Sequence, residues 1–368
     1  LLPHRINMCY VTKIKMFNFA YLTKIVNFDT DMSNYNKIYN KILNLPVGVA
    51  IEPAGKSTKK NASKRYVSGQ GHYSKSKTIK EIFEVSNSDK KLFDTAFEQV
   101  GNGKGKEVNR ITTLHSSSLL GLLTFFRVPN HPIYIKGLDG IPFNKIHFEV
   151  ESAVFGRNSS IDVLLVSEDE NTLLCLELKF TEFLTRSKHY WLNLKYKDDY
   201  SEISGILSKA DISVGHKESR KHVPRDKNKN EYTTEEFKIS SCYNSNHYFG
   251  GIKQMISHTI GLMKSPLSGN SKLKDKYLKG KSPRIILATM LYNPSELDSS
   301  FGAAYNDYVN LYYAVFSQSA AIKNCLMKLN GFENDIEILD KPLTYQSDIV
   351  STNGENPFIP KVKEIYRL

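Results

Sequence analysis

The sequence predicts an α/β fold in which a mixed central β-sheet lies between layers of helices, giving three layers in all. Residues 161–180 hold two apolar runs around a polar tetrapeptide, the pattern of a buried β-hairpin. Residues 284–292 form a further apolar run, long enough to extend the same sheet. Helical patterns precede the hairpin and separate it from this run, which favours helices packed on a sheet.

The hairpin carries three charges in its apolar strands, Asp162, Glu177 and Lys179. A turn centred between Asp169 and Glu170 places Asp162 directly opposite Glu177. Because side chains alternate along a strand, Lys179 shares the face of Glu177. The pattern therefore predicts that two acids and one lysine converge on one patch of the sheet.

Such a patch needs compensation, because like charges opposite each other destabilise a sheet and a buried charge costs several kcal/mol. A divalent cation such as Mg²⁺ (or Mn²⁺) would supply it, since hard cations take carboxylate oxygens. The alternatives are a buried Asp/Glu/Lys salt-bridge cluster, or a register slip that turns these groups to solvent.

The spacing resembles a known family. Asp162, fourteen residues and then Glu177-Leu178-Lys179 resemble the signature of the PD-(D/E)XK nucleases, the restriction-endonuclease-like superfamily. The proline of the motif is absent, since Ser160 and Ile161 precede Asp162. Several flanking stretches also resemble a bacterial restriction-endonuclease-like branch of the family. They are 155–157, 160–162 and 179–182, and more faintly 114–117 and 343–346.

The resemblance implies a restriction-endonuclease-like core and a metal-dependent DNA endonuclease of restriction or phage-defence type. Asp162 and Glu177 would bind the metal, and Lys179 would be the catalytic lysine. A further acid is implied before the aspartate, where Glu149 is favoured over Glu151 in a strand predicted over 146–154. A turn near Asn158 would place Glu149 well down the strand from Asp162. The rival interpretation is a non-catalytic nucleic-acid-binding protein with a nuclease-like fold.

Composition and charge limit which partners, metal sites and cellular locations we expect. The chain has 368 residues, a net charge of +12 and a pI near 9.2, which favours a polyanionic partner such as DNA, although solubility alone also explains such a charge. Its four cysteines include no CxxC pair, which argues against a zinc ribbon or a four-cysteine iron-sulfur cluster. The apolar run at 16–23 is too short to span a membrane. A reduced cytoplasmic protein is expected, with a homodimer as one option for its assembly.

Three basic segments are candidate DNA contacts, at 53–80, 216–230 and 264–284. The first holds eight basic residues and no acid, with aromatic residues interleaved. Solvated loops or linkers are the alternative for each. The candidate substrate-binding residues of the first segment are Lys59, Lys60, Lys64 and Arg65.

The remaining helices and strands follow in chain order. Two amphipathic helices are predicted over 78–100 with a break at 86–88, and a buried helix capped by serines over 116–127. Residues 182–208 are predicted to be mainly helical, with Trp191 in the core. Further helices are predicted over 251–263, 302–317 and 320–329.

The helix predicted over 251–263 carries Gln254 and His258 one turn apart, on a face other than the predicted apolar one. Related nucleases place a polar helix beside the metal site, so the resemblance makes Gln254 a candidate for substrate positioning. A solvent-facing glutamine is the alternative.

Three regions are expected along the chain. Residues 1–110 form an N-terminal helical and basic region, and 111–300 form the nuclease-like core with a basic insertion near 209–238. Residues 301–368 supply C-terminal helices and strands packed on that core.

Overall fold

The computed structural model describes fifteen stretches of the chain, all within residues 41–368, which cluster as one unit by their contacts. They are 41–44, 49–51, 66–68, 85–101 except 88, 116–126, 132–154 except 139, 157–184, 190–193, 197–209, 212–222, 231–241, 250–264, 276–279, 283–351 and 359–368.

Strands and helices alternate along these stretches. The strands are β1 (Val49–Ile51), β2 (Tyr66–Ser68), β3 (Ile133–Ile135), β4 (Phe143–Val154), β5 (Arg157–Ser167), β6 (Thr172–Lys179), β7 (Tyr190–Asn193), β8 (Ile212–His222), β9 (Tyr232–Ser241), β10 (Arg284–Leu291), β11 (Glu337–Ile338), β12 (Leu343–Thr344) and β13 (Ile349–Ser351). The helices are α1 (Lys90–Gly101), α2 (Ser117–Phe125), α3 (Lys197–Lys209), α4 (Gly250–Met263), α5 (Ser299–Phe316), α6 (Ser319–Leu326) and α7 (Ile359–Tyr366).

The main sheet is mixed and has the order β11-β10-β6-β5-β4-β3-β13, with β12 also pairing with β10. Strand β10 is parallel to β6, β11 and β12, whereas β3, β4, β5, β6 and β13 pair in antiparallel fashion. The predicted hairpin is confirmed in its register, since Val163 pairs with Leu176 and Val166 with Leu173. The predicted strand over 284–292 is confirmed as β10, beside β6.

Helices cover both faces of this sheet. Along β6, Glu177 contacts α4 through His258, whereas the neighbouring Leu178 points at Gly121 of α2. Because successive side chains in a strand point to opposite faces, α4 and α2 lie on opposite faces of the sheet. A Cβ at Gly121 would stand 2.0 Å from Leu178 Cδ1, so only glycine permits this close packing of α2 on β6.

Sequence patterns predicted several of the helices correctly. Helix α2 begins where expected, with the Ser116 hydroxyl accepting from the Leu119 N–H, and residues 119–125 are buried. Helices α4, α5 and α6 are confirmed within three residues at either end. Helix α1 is the second of the two predicted over 78–100, and the first lies outside the described residues.

Aromatic packing fixes the end of β6. The Phe180 ring lies edge-on to Tyr292 and Tyr366, with centroids 4.8 Å and 5.4 Å away. The Tyr292 hydroxyl donates to the Tyr366 carbonyl at 2.6 Å, and the Tyr292 N–H donates to the Lys179 carbonyl at 3.0 Å. The backbone that carries Lys179 is therefore held by β10 on one side and by α7 beneath it.

The region after the hairpin differs in part from its expected structure. Within the stretch 182–208, predicted to be mainly helical, the described residues form a short 3-10 turn (Glu182–Leu184) and the helix α3 from Lys197, but the strand β7, which contains Trp191, lies between them. Residues 216–222 of the predicted exposed insertion belong to the strand β8, and 223–230 lie outside the described residues. Strands β7, β9 and β8 form a separate antiparallel sheet. The polar sequences of these strands carry no clear local strand pattern, and the strands are ordered by pairing with one another.

None of the helices in the described part of the chain is long and apolar enough to cross a membrane.

Candidate functional site

The three charged residues of the hairpin lie at one end of the β5–β6 ladder. The register that pairs Val163 with Leu176 places Asp162 opposite Glu177, one step beyond the last paired residues. There the Leu178 N–H donates to Asp162 Oδ2 at 2.7 Å. Lys179 lies on the face of Glu177, as predicted, and the two side chains form an ion pair.

Glu177 is the most enclosed member of the group. Its side chain is 0% exposed and that of Lys179 is 5% exposed, whereas Asp162 keeps part of its surface open to solvent. Lys179 Nζ contacts Glu177 Oε1 and also lies 3.2 Å from the Leu178 carbonyl. The other oxygen, Glu177 Oε2, lies 2.6 Å from Nε2 of the buried His258. Each oxygen of Glu177 thus has its own partner.

His258 connects the helix layer to the hairpin. It projects from α4, and its second ring nitrogen, Nδ1, lies 2.7 Å from the Ser159 hydroxyl on β5. Ionised Glu177 can only accept hydrogen bonds, so the His258 nitrogen facing it, Nε2, carries a proton. In the neutral imidazole Nδ1 then accepts from Ser159. The four side chains form a continuous line, Ser159–His258–Glu177–Lys179.

Glu149 lies closer to the site than its sequence position suggested. Strand β4 pairs Phe148 with Val163 and Val150 with Ile161, which places Glu149 opposite Asp162. Strand β4 ends at Val154 and β5 begins at Arg157, so the register differs from one centred near Asn158, and the expectation that Glu149 stands well down the strand is wrong. Its backbone has a positive φ of 51°, and the Ser160 hydroxyl donates to its Oε2 at 2.7 Å. A non-glycine residue in this conformation stores strain, of the kind that clusters at functional sites.

The two opposed acids differ in their affinity for a proton. Burial raises the pKa of Asp162 well above its usual value, and the nearby charges of Glu177 and Glu149 raise it further against the opposing effect of Lys179. Burial also raises the pKa of Glu177, but Lys179 and His258 outweigh it and bring the value to about 2. Glu177 therefore stays ionised, while ionised Asp162 lacks sufficient compensating positive charge.

Tyr345 is a buried tyrosine whose phenol is influenced by the charge of Asp162. It follows β12 and is 4% exposed, and its hydroxyl has no hydrogen-bond partner among the described residues. Burial raises the pKa of this phenol, and the charges of Asp162 and Glu182 add to the effect. A buried hydroxyl without a partner costs about 1–3 kcal/mol of stability.

The donor set fits a hard divalent cation. Mg²⁺ commonly takes one or two carboxylates and completes its shell with water and substrate phosphate. Asp162 and Glu177 supply such a pair, and each carboxylate oxygen has two lone pairs, so the contacts of Glu177 with Lys179 and His258 leave acceptor capacity. Within the described ranges, no group of three or more His, Cys, Asp or Glu side chains has the arrangement of a metal cage. Asp162 and Glu177 are thus a candidate pair of metal ligands.

Gln254 is not brought to this patch. Gln254 is exposed on α4, one helical turn before His258. The candidate phosphate contacts of the first basic segment lie outside the described residues and stay predictions: Lys59, Lys60, Lys64 and Arg65.

A basic strip runs along β4 toward Glu149, and we define it as Lys145, His147, Lys276, Tyr277 and Lys279. The rings of His147 and Tyr277 lie 4.7 Å apart, and Lys276 Nζ lies 4.9 Å from the Tyr277 ring. Lys145 and Lys279 both pair with Glu170 at the hairpin turn. Burial, then the charges of Lys276 and Lys145, lower the pKa of His147, which marks a positive local potential.

The strip and the acids share a face of the sheet. Lys145, His147 and Glu149 alternate along β4, so all three point the same way as Asp162 opposite them. At about 3.3 Å per residue, Lys145 lies roughly 13 Å from Glu149 along the strand. Tyr277 of the predicted basic segment 264–284 therefore lies beside His147 on this face. That the segment lines a path to Asp162 stays a prediction.

Searches of protein-family models, of curated proteins and of solved structures found no match to this chain.

Sequence reasoning missed His258, Ser159 and Tyr345 as members of the site. His258 lies three residues after Met255 and four before Leu262, and both of these are buried. That spacing placed the imidazole on an inward face of α4, so the signal was present. No local pattern connects Ser159 or Tyr345 to Glu177, because they reach the patch from other strands.

Proposed function

We propose that the protein is a Mg²⁺- or Mn²⁺-dependent DNA endonuclease of the restriction-endonuclease-like type, acting in restriction or phage defence in the cytoplasm, alone or as a homodimer. One observation carries the proposal. Two acids stand opposite each other at the end of a buried hairpin, and a buried lysine shares their face. This is the constellation that the resemblance assigns to metal binding and phosphodiester hydrolysis.

Asp162 and Glu177 would hold the metal, which when bound neutralises the scissile phosphate and makes its bound water more acidic. Lys179 contributes a positive charge that stabilises negative charge developing on the phosphate. Its contacts with Glu177 Oε1 and the Leu178 carbonyl restrict where that charge can lie. Placement of this kind is what electrostatic stabilisation of a transition state requires.

The layered architecture supports the proposal. A mixed sheet with β6 and β10 parallel at its centre lies between α2 and α4, as the resemblance implies. The acids stand at the carboxyl end of β6, where substrate can approach Asp162 from solvent.

The basic strip supports a nucleic-acid substrate. Its lysines and the neutral imidazole of His147 lie on the face that leads to Glu149 and Asp162. Neutralising phosphates by lysine supplies most of the affinity of non-specific nucleic-acid binding, through counterion release. A polymer laid along the strip would bring a phosphodiester to the acids.

The rival is a nucleic-acid-binding protein in which the charged patch is only a structural salt-bridge cluster. The partners of both Glu177 oxygens favour that interpretation. Two features count against it. A structural cluster has no need of a second acid whose pKa is raised by burial, or of a Tyr345 hydroxyl that is buried without a partner among the described residues.

The test is incubation of the purified protein with supercoiled plasmid in Mg²⁺, in Mn²⁺ and in EDTA. The wild type should cut only with the metals, and Glu177→Gln should not cut. Glu168→Gln is the matched control, because Glu168 lies exposed in the same hairpin. A wild type that never cuts any plasmid under these conditions favours the binding protein.

A further inference from the structure

We propose that His258 is a positioning residue that holds Glu177 in its metal-binding orientation, with Ser159 fixing the orientation of the imidazole; the inference rests on the proposed metal site. His258 does not touch the substrate in this scheme. It acts through Glu177, and it is not itself one of the residues that the family resemblance marked.

The contacts determine which way the Glu177 carboxylate faces. Lys179 holds Oε1 and His258 Nε2 holds Oε2 at 2.6 Å, so the carboxylate has one donor on each side. His258 is itself fixed, because it is 2% exposed and its Nδ1 lies 2.7 Å from the Ser159 hydroxyl. Residues that hydrogen-bond to metal ligands commonly orient them in this way.

Removal of the His258 imidazole would change the hydrogen bonding and orientation of the Glu177 carboxylate. Oε2 would lose its buried partner, and the carboxylate could turn so that both oxygens face the Lys179 ammonium. A closer Glu177–Lys179 pair would withdraw a ligand from the cation and a charge from the phosphate. His258 therefore keeps the acid and the lysine in separate roles on the same face of the sheet.

A plain core role for His258 predicts a different result. A histidine that only satisfies a buried carboxylate would change stability when removed, and the metal affinity of the remaining folded protein would stay the same. The two roles separate when metal binding is measured on folded protein, well below its melting temperature.

The experiment measures Mn²⁺ affinity by isothermal titration calorimetry, beside plasmid cleavage as a function of Mn²⁺ concentration. We expect His258→Ala to bind Mn²⁺ about 10- to 100-fold more weakly, the usual effect of removing a residue behind a metal ligand. His258→Gln keeps an N–H donor and should recover part of the loss. Ser159→Ala should weaken Mn²⁺ binding several-fold, by loosening the ring.

Thr259→Ala is the matched control. Its hydroxyl is buried on the same helix and donates to the Met255 carbonyl at 2.9 Å, away from Glu177. It should melt at a lower temperature but bind Mn²⁺ like the wild type.

Two failures are distinguishable. A wild type that neither binds Mn²⁺ nor cuts DNA overturns the proposed function itself. A wild type that binds and cuts, beside folded His258→Ala, His258→Gln and Ser159→Ala variants with unchanged Mn²⁺ affinity, overturns only the positioning role. If His258→Ala does not fold, the glutamine and Ser159 variants decide the matter.

Discussion

Replacing Lys179 by methionine separates catalysis from compensation of buried charge. Methionine has a similar volume and no charge, so the change removes the partner of Glu177 Oε1 and the cation that lowers the pKa of both acids. Removing one member of a buried pair costs about 3–5 kcal/mol. At about 2 °C per kcal/mol for a chain of this size, the melting temperature should fall by roughly 6–10 °C.

A divalent cation should restore part of this loss, because it would replace the missing positive charge between Asp162 and Glu177. A ligand at 100 times its dissociation constant stabilises the fold by about 2.7 kcal/mol. Saturating Mg²⁺ should therefore raise the melting temperature of Lys179→Met by roughly 5 °C, and by more than it raises that of the wild type. DNA binding in Ca²⁺ should survive, while cleavage in Mg²⁺ falls by orders of magnitude.

The assay is thermal melting with and without Mg²⁺, together with plasmid cleavage. Lys41→Met is the matched control, because Lys41 is exposed, lies outside the basic strip, and forms a surface ion pair with Asp298 worth less than about 1 kcal/mol. A folded Lys179→Met that cuts as fast as the wild type would refute the catalytic role. Melting that falls without any recovery in Mg²⁺ would instead indicate a purely structural charge cluster.

Three further changes test other parts of the site. Burial raises the pKa of folded Asp162 above that of the unfolded chain, so stability falls as pH rises from about 4 through the folded pKa. Asp162→Asn should therefore melt higher than the wild type above that range, and should lose cleavage. Tyr345→Phe removes a buried hydroxyl without a partner and should stabilise the fold by about 1 kcal/mol while slowing cleavage. Lys145→Gln with Lys276→Gln should flatten the dependence of log DNA affinity on log salt by about 2.

Each of these has an outcome that contradicts it. The argument on Asp162 fails if the asparagine variant melts lower than the wild type at pH 8. Tyr345 has only a packing role if the phenylalanine variant cuts normally, and an unchanged salt slope would show that the basic strip does not meet phosphates. Cleavage of a small phosphodiester substrate controls the last test, because the double lysine variant should hydrolyse it like the wild type.

Local sequence patterns account for much of the candidate site. The polar tetrapeptide between two apolar runs fixed the turn, and the turn fixed the register that sets Asp162 opposite Glu177. Alternation along the strand then placed Lys179 with them. These results needed only near neighbours in the chain, since a hairpin is a local structure whose register follows from its turn.

Contacts between residues that are distant in the chain could not be predicted from the sequence, because their geometry depends on backbone details that no local pattern encodes. Glu149 was misplaced because β4 ends at Val154 and β5 begins at Arg157, whereas the predicted turn was centred near Asn158. A shift of a few residues moves every cross-strand partner along the strand. The second sheet was missed because the polar residues of β8 are ordered by pairing with β9.

The sequence by itself determined the α/β class, the central hairpin and the convergence of two acids and a lysine. Only the tertiary structure decided what surrounds them. His258 reaches Glu177 across 81 residues, and Tyr345 follows β12 near the C-terminus. Hydrophobic burial fixes which faces of helices and strands meet, but it is non-directional and does not specify which polar groups are enclosed together. Those partners are set by the packing of α4 on the sheet and by the pairing of β12 with β10.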